Sequence, residues 1–349
     1  MGYQLRDYQT YAVQAIERKL SLDRYALCVL GTGLGKSITL TETVKKRKRA
    51  VILQPSIELV NQNYNKLVVA GLEGVRICTG TRKDWDSNYI YTTPQSLYKM
   101  VDVVEEPELL VIDEAHLFFN GTMFQAILKE WKNCKVAGQT ATPYYQHTYT
   151  RRQKNALYSV SETRSIEQDL YGDAVCNFDR SYGEQHGWLP KIEDYKLKYV
   201  PYIKPSHYKD EGTYRELLEE HRQNVAVLLL RLRNSIIFCS SIAQANYLST
   251  LPNTRTLFGS TPTKERLHLI NDFKAGEVKH LLTVGCLKLG FDFPELENVL
   301  ALDNIPTPTV VEQTKGRLSR GTCKKRFLYA GRVNFNKPQV GYKQMIRIK

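Results

Sequence analysis

Short apolar runs recur along this chain, separated by segments of helical length, and they do so in two series. The first series occupies 26–30, 50–53, 89–92, 109–112 and 135–137, and the second 235–239, 254–258, 280–284 and 298–302. A run that is apolar at every position suits a strand buried on both faces, and the stretch after each run is long enough to cover the sheet as a helix. That rhythm predicts parallel α/β architecture, and its repetition predicts two α/β lobes. The stretch 144–234 between the series is polar and Tyr-rich and holds Pro190, Pro201 and Pro205. It is where the lobe boundary is expected, near residue 180, giving one lobe over 1–180 and another over 181–349.

The chain has 349 residues, with 49 Lys and Arg against 36 Asp and Glu, a net charge of +13. Such an excess suits a polyanionic partner, because a basic surface attracts phosphates and releases their counterions. The seven cysteines are scattered with no CxxC pair, so they read as buried thiols of a reducing, intracellular compartment, the host cytoplasm for a viral protein. No apolar run reaches the roughly 18 residues of a membrane span, and no membrane partner is expected.

The residues Leu30-Gly31-Thr32-Gly33-Leu34-Gly35-Lys36-Ser37 stand between a strand and a helical stretch. Glycines let backbone N–H groups turn inward around phosphates, so Gly31, Thr32, Gly33 and Gly35 are the candidate cradle. Lys36 is placed to reach the β and γ phosphates, and the Ser37 hydroxyl to hold Mg²⁺. Leu30 stands where the general pattern has its first Gly. Further on, Leu109-Leu110-Val111-Ile112 ends in Asp113-Glu114-Ala115-His116. A carboxylate at a strand tip beside a phosphate loop is where the metal must be held, which is the role for Asp113. Glu114, next to it, is placed to polarise an attacking water. Loop and acid in this order point to an enzyme that hydrolyses a nucleoside triphosphate with Mg²⁺.

With these residues in place the sequence resembles the superfamily 2 helicases. The likeness is to the DEAH-lettered branch that includes bacteriophage UvsW-like helicases and the XPB and type III restriction motor groups. It covers essentially the whole chain and suggests a viral or mobile-element source. It implies two tandem RecA-like lobes, each a mainly parallel sheet flanked by helices, with ATP in the cleft between them. Leu5-Arg6-Asp7-Tyr8-Gln9 is similar to the adenine-reading segment, which assigns Arg6 and Gln9 to the nucleotide; Gln9 offers an acceptor and donors to the base edge. Pro55 and Ser56, and Thr92, Thr93, Pro94 and Gln95, resemble motifs Ia and Ic, which in the family touch the nucleic acid backbone. Ser240 and Ser241 resemble motif IV, and Thr283 the start of motif V, with the same role. The segments at 55–56 and 92–95 each also read as a strand-to-helix loop with capping residues.

The resemblance gives Gly290 and Asp292 of motif V to the nucleotide. It gives Thr140 and Thr142 of motif III, with His116, to coupling between the nucleotide and the strand. Gln313-Thr314-Lys315-Gly316-Arg317-Leu318-Ser319-Arg320 matches motif VI. Gln313, Arg317 and Arg320 are therefore catalytic candidates with Lys36, Asp113 and Glu114. Arg320 is the first choice for the arginine that stabilises the γ-phosphoryl in flight, since a guanidinium is always charged and forked. Thr314 stands where an Arg is common.

Some basic clusters leave two readings open. Lys45-Lys46-Arg47-Lys48-Arg49 follows the phosphate-loop helix, where cations also suit a helix C-terminus and a solvated loop, the favoured reading. Arg151, Arg152 and Lys154 lie among tyrosines and either line a strand path or face water. The residues after Arg320 are expected to finish the second lobe without a winged helix or nuclease. A compact motor core of this kind is expected as a monomer that draws on an accessory protein or a structured substrate. DNA at forks, branches or recombination intermediates is the expected partner, with RNA, or a role as motor subunit of a larger complex, as alternatives.

Overall fold

The computed structural model describes residues 4–69, 72, 75–79, 85–119, 121–153, 156–285, 293–305, 307–336, 339–341 and 343–347. The chain divides into two compact units, one over 1–183 with 338–349 and one over 184–337.

In the first unit the strands are β1 (Tyr25–Leu30), β2 (Ala50–Leu53), β3 (Val75–Cys78), β4 (Tyr89–Thr92), β5 (Leu109–Asp113), β6 (Lys135–Thr140), β7 (Tyr144–Gln153), β8 (Ala156–Ser165) and β9 (Cys176–Phe178). Seven of them form one sheet in the order β3-β4-β2-β5-β6-β1-β9, and every pairing in it is parallel. Its helices are α1 (Asp7–Leu22), α2 (Lys36–Val44), α3 (Ile57–Val69), α4 (Pro94–Tyr98) and α5 (Thr122–Glu130), with α6 (Arg180–Gln185) at the boundary. Leu27, Val51, Leu110 and Val136 of four strands share one buried cluster with Phe124, Ile127 and Trp131 of the α5 region. Burying each such side chain contributes roughly 1.5–3 kcal/mol.

The second unit carries β10 (Ile192–Lys196), β11 (Ser235–Phe238), β12 (Thr254–Leu257), β13 (His280–Thr283), β14 (Asn298–Ala301) and β15 (Lys325–Tyr329), with helices α7 (Glu211–Leu229), α8 (Ile242–Leu248), α9 (Thr263–Ala275) and α10 (Pro308–Lys315). The sheet order is β10-β15-β14-β11-β13-β12. Alternate residues of the same strands enter two different clusters. Ile236, Leu281 and Val299 meet Phe273 and Phe327, whereas Ile237, Leu282 and Leu300 meet Val225, Leu229 and Leu248. Both faces of the sheet are thus covered, which is why its strands read as continuous apolar runs.

The stretch 144–234 holds more regular structure than its polarity indicates. β7 and β8 form a ten-residue antiparallel hairpin, β9 joins the first sheet and β10 opens the second. Aromatic and β-branched residues alternating with polar ones favour a strand, and polarity alone obscures them. The C-terminal segment is not wholly spent on the second unit as expected. β15 completes that sheet, but β16 (Lys343–Arg347) pairs antiparallel with β8 and makes a three-stranded sheet with the hairpin.

Candidate nucleotide site and nucleic-acid contacts

Because the first sheet is parallel, its strands present their C-terminal ends along one edge, where α/β sheets bind ligands. The loops there fall into two adjacent groups. The phosphate loop follows β1, Asp113 ends β5 and Thr140 ends β6, on the contiguous run β5-β6-β1. Pro55 and Ser56 follow β2, and Thr93 follows β4, on the neighbouring pair β4-β2. Nucleotide candidates and nucleic-acid candidates are sorted side by side by strand order alone.

Gly33 and Gly35 adopt φ of 91° and 82°, in the left-handed region that favours glycine. Leu34 N–H turns back to Gly31 O at 3.1 Å. Among the described residues the N–H groups of Thr32, Gly33 and Gly35 have no protein acceptor, which is the arrangement of an anion nest at a helix start. Gly31 has another duty. A Cβ there would lie 2.8 Å from the backbone N of Arg180, and its own N–H donates to Phe178 O at 2.7 Å. Glycine at 31 is therefore required by close packing against β9 and α6.

Lys36 opens α2. Its Nζ lies 3.6 Å from Glu114 Oε1 and 3.4 Å from Leu30 O. Gln139 of β6, oriented to satisfy both neighbours, donates to Lys36 O at 2.8 Å and accepts from Leu40 N at 3.1 Å. This buried amide ties α2 to the sheet; it was not among the expected site residues, and only its place at the end of a strand preceding Thr140 hints at it.

Asp113 is buried. Burial, together with the neighbouring Glu114 charge, pushes its carboxyl up to about 6 against the opposing pull of Lys36. Its Oδ1 accepts from Glu114 N–H at 3.0 Å. Glu114 sits at φ 51°, ψ 49°, a left-handed conformation that costs a non-glycine residue roughly 1–3 kcal/mol. Strain of this kind persists where surrounding structure enforces it, and here it turns the Glu114 carboxylate between Lys36 and His116. His116 Nδ1 is 3.7 Å from Glu114 Oε2 and 2.8 Å from Thr140 Oγ1. Thr140 Oγ1 donates to Thr142 O at 2.9 Å and accepts from Thr142 N–H at 3.1 Å. With its own hydrogen committed, that hydroxyl accepts from His116, so Nδ1 carries the imidazole proton. Burial holds His116 below the usual imidazole range, and the ring is neutral.

The donor set suits a hard divalent cation. Asp113 and Ser37 offer oxygen, and no group of three His, Cys, Asp or Glu side chains gathers among the described residues. Mg²⁺ keeps several waters and takes substrate phosphates, so one carboxylate and one hydroxyl are sufficient protein ligands.

Gln9 is buried beneath the loop. Its Nε2 donates to Leu34 O at 3.2 Å and its Oε1 accepts from Arg6 N–H at 3.0 Å. Tyr8 donates its hydroxyl to the same Leu34 carbonyl at 2.7 Å. Gln9 thus braces the phosphate loop and the start of α1, where Arg6 is the N-cap.

Several expected strand contacts are also helix caps. Ser56 Oγ accepts from Leu59 N–H at 3.3 Å. Thr93 caps α4, with Pro94 in its first turn and Gln95 beside it, and buried Thr92 ends β4. Ser241 caps α8, and Ser240 N–H and Oγ both reach Gln244 Oε1 at 2.7 and 2.9 Å. Thr283 pairs with Phe238 in register, and its carbonyl accepts from Cys239 N–H. Capping fixes where these loops stand.

In the second unit Gln313 lies on α10, and Arg317 and Arg320 follow it through a short 3₁₀ turn over Gly316–Leu318. Thr314 is buried at 1% exposure, so a guanidinium there would be pressed into the unit's interior, which accounts for the departure from Arg. Lys315 pairs with Asp194 at 2.8 Å. Gly290 and Asp292 lie outside the described residues, as do Cys286 and Lys154. In the 45–49 cluster Lys45, Arg47 and Arg49 pair with Glu42, Glu17 and Glu105, the pattern of a solvated helix end. No described helix is long and apolar enough to cross a membrane.

Two family descriptions match the chain. Type III restriction enzyme, res subunit, covers residues 2–145, and Helicase conserved C-terminal domain covers 219–322. The chain belongs to the superfamily 2 helicases. A Methanocaldococcus jannaschii protein named for ATP-dependent RNA helicase activity is 31% identical over 155 residues, 39% of this helicase and 19% of the relative. A 51.5 kDa protein of a Lactococcus phage is 24% identical over 289 residues, 75% of this helicase and 55% of the relative. The helicase thus spans less than two thirds of the length of these relatives. The structure of the ATP-dependent Type ISP restriction-modification enzyme LlaBIII bound to DNA superposes over 95% of this helicase and 28% of that chain, with a TM-score of 0.68 and 15% identity. That likeness establishes the tandem RecA-like fold.

Proposed function

We propose that this helicase is an ATP-driven nucleic acid translocase acting on DNA, in particular on forks, branches or recombination intermediates. The observation that carries the reading is the arrangement of Lys36, Asp113 and Glu114 around an open nest of backbone amides. Lys36 and the nest bind the β and γ phosphates. Asp113 and Ser37 hold Mg²⁺, which supplies charge neutralisation at the phosphates when bound. Glu114 takes the proton of the attacking water at its Oε atoms, and His116 and Thr140 link that carboxylate to the 140–142 turn. Arg320, with Arg317 and Gln313, is assigned to the γ-phosphoryl charge. Gly290 and Asp292 are assigned to the nucleotide on the resemblance alone. Thr93, Ser240 and their neighbours are assigned to the phosphate backbone, which positions a strand without reading its sequence.

The DNA preference is supported by the restriction-subunit family match over 2–145; the RNA helicase relative favours RNA as the second reading. The deciding experiment measures ATP hydrolysis with no nucleic acid, single-stranded DNA, forked DNA and matched RNA, with Lys36→Ala as control. Stimulation by DNA that vanishes in Lys36→Ala supports the proposal, and a preference for RNA transfers it to RNA. Hydrolysis that no nucleic acid stimulates in the wild type overturns it.

A further inference from the structure

The strand register sorts the hairpin sheet into two faces of different chemistry. Pairing runs His147↔Glu162, Tyr149↔Val160 and Arg151↔Tyr158, with Lys343 opposite Glu162 on the far side. Successive residues of a strand point to opposite faces. One face therefore carries His147, Tyr149, Arg151, Tyr158, Arg164 and Lys343. The other carries Thr148, Thr150, Ser159 and Ser161, with Arg152 near the tip. The aromatic face is organised. The His147 and Tyr149 rings lie 5.6 Å apart at 34°. Its one carboxylate, Glu162, is bridged by Arg164 at 3.2 Å and Lys343 at 3.4 Å. Three cations against one carboxylate leave the face positive. His147, Tyr149 and Tyr158 are partly exposed and Arg151 is exposed.

The root of this face is anchored. Tyr145 donates its hydroxyl to Asp169 at 2.6 Å and packs on Phe119 with centroids 5.1 Å apart. Ile166 N–H closes the base on Pro143 O at 2.9 Å. The sheet thus rises directly from the turn that holds Thr140 and Thr142.

Partly exposed aromatic rings flanked by cations are what unpaired bases and their phosphates require: every base has a π-face, and each phosphate a negative charge. A duplex hides its base faces and uses only the charge. We propose that this face of the β7–β8–β16 sheet is a platform for single-stranded nucleic acid, with bases stacking on Tyr149 and Tyr158 and phosphates meeting Arg151 and Lys343. The proposal rests on the nucleic-acid reading above and places the strand beside the 140–142 turn.

The test is anisotropy of short fluorescein-labelled oligo(dT) and oligo(rU), with a blunt duplex for comparison, titrated with the full chain. Tyr149→Ala and Tyr158→Ala each raise the Kd for oligo(dT) by about 5- to 100-fold, the span for losing one base stack. Tyr149→Phe keeps wild-type affinity, and the reverse-face pair Thr148→Ala/Thr150→Ala leaves it unchanged. Arg151→Ala lowers the salt slope of log Kd by about 0.7, the value for one phosphate on a single strand. Duplex affinity falls far less in the tyrosine variants. Matched thermal melting establishes that each variant is folded. Unchanged oligonucleotide binding in folded Tyr149→Ala, Tyr158→Ala and Arg151→Ala overturns the platform, while the translocase reading survives on wild-type binding. A wild type that binds neither oligonucleotide overturns both.

Discussion

His116 Nδ1 donates to Thr140 Oγ1 at 2.8 Å, and the same imidazole nitrogen lies 3.7 Å from Glu114 Oε2. One neutral ring therefore touches both the carboxylate assigned to water activation and the turn from which the hairpin sheet departs.

Thr140→Val removes a hydroxyl that serves His116, Thr142 N–H and Thr142 O. Leaving buried partners unsatisfied costs about 1–3 kcal/mol. Differential scanning calorimetry should show a lower melting temperature for the first unit. Hydrolysis should persist while its stimulation by nucleic acid is lost, a combination seen by comparing rates with and without oligonucleotide.

Glu114→Gln retains the shape of the side chain and removes the base. The rate of hydrolysis should fall by about 10²–10⁴-fold, with nucleotide binding, followed by a fluorescent ATP analogue, little changed. Equal activity in this variant would show that another group activates the water.

Gly35→Ala meets two obstacles, a φ of +82° and the Gln9 Nε2 amide pressed against the new Cβ. The cost in stability should exceed the roughly 1–3 kcal/mol expected of backbone strain alone. Adding Gln9→Ala relieves the contact but not the strain, so a double-mutant cycle should return a favourable coupling in urea unfolding. Strict additivity would contradict the packing described.

Acid should weaken the second unit first. His221 and His280 are buried, and burial lowers both imidazoles from 6.5 to about 4. The unfolded chain binds these protons as pH falls through 6.5, and the folded unit does not until about 4. Stability is therefore complete above that window and is lost on acidification across it, by up to about 1.4 kcal/mol per pH unit for each histidine. The protection factors of the β11 and β13 amides, taken against the intrinsic exchange rate at each pH, should fall across that window, and the slope should flatten in His221→Leu/His280→Leu.

Lys325 is almost fully buried and its Nζ donates to Pro294 O and Leu296 O at 2.7 and 2.6 Å. Lys325→Met should destabilise the second unit by about 1–3 kcal/mol through the two orphaned carbonyls, read as a lower urea midpoint. Burial gives Lys325 a structural role within the second unit.

Much of the fold was legible because parallel strands covered on both faces must be apolar throughout. Ile236 and Ile237 feed opposite clusters, so both had to be hydrophobic. The nucleotide residues were legible because phosphate chemistry dictates their types and order. The hairpin was not, since Thr148, Thr150, Ser159 and Ser161 face away from any apolar cluster and leave no hydrophobic signature. The duties of Gln139 and Gly31 were hidden too, because each depends on a neighbour far along the chain, Leu40 for one and Arg180 for the other.

β16 pairs with β8 after the chain has completed the second sheet. The first unit is thus built from two separated stretches, and the second is spliced into it as a loop would be. Two covalent crossings join the units where tandem lobes need one. A protease that severs one crossing leaves the other intact, and the strand beyond a cut near 338 still holds its place through the β8 ladder.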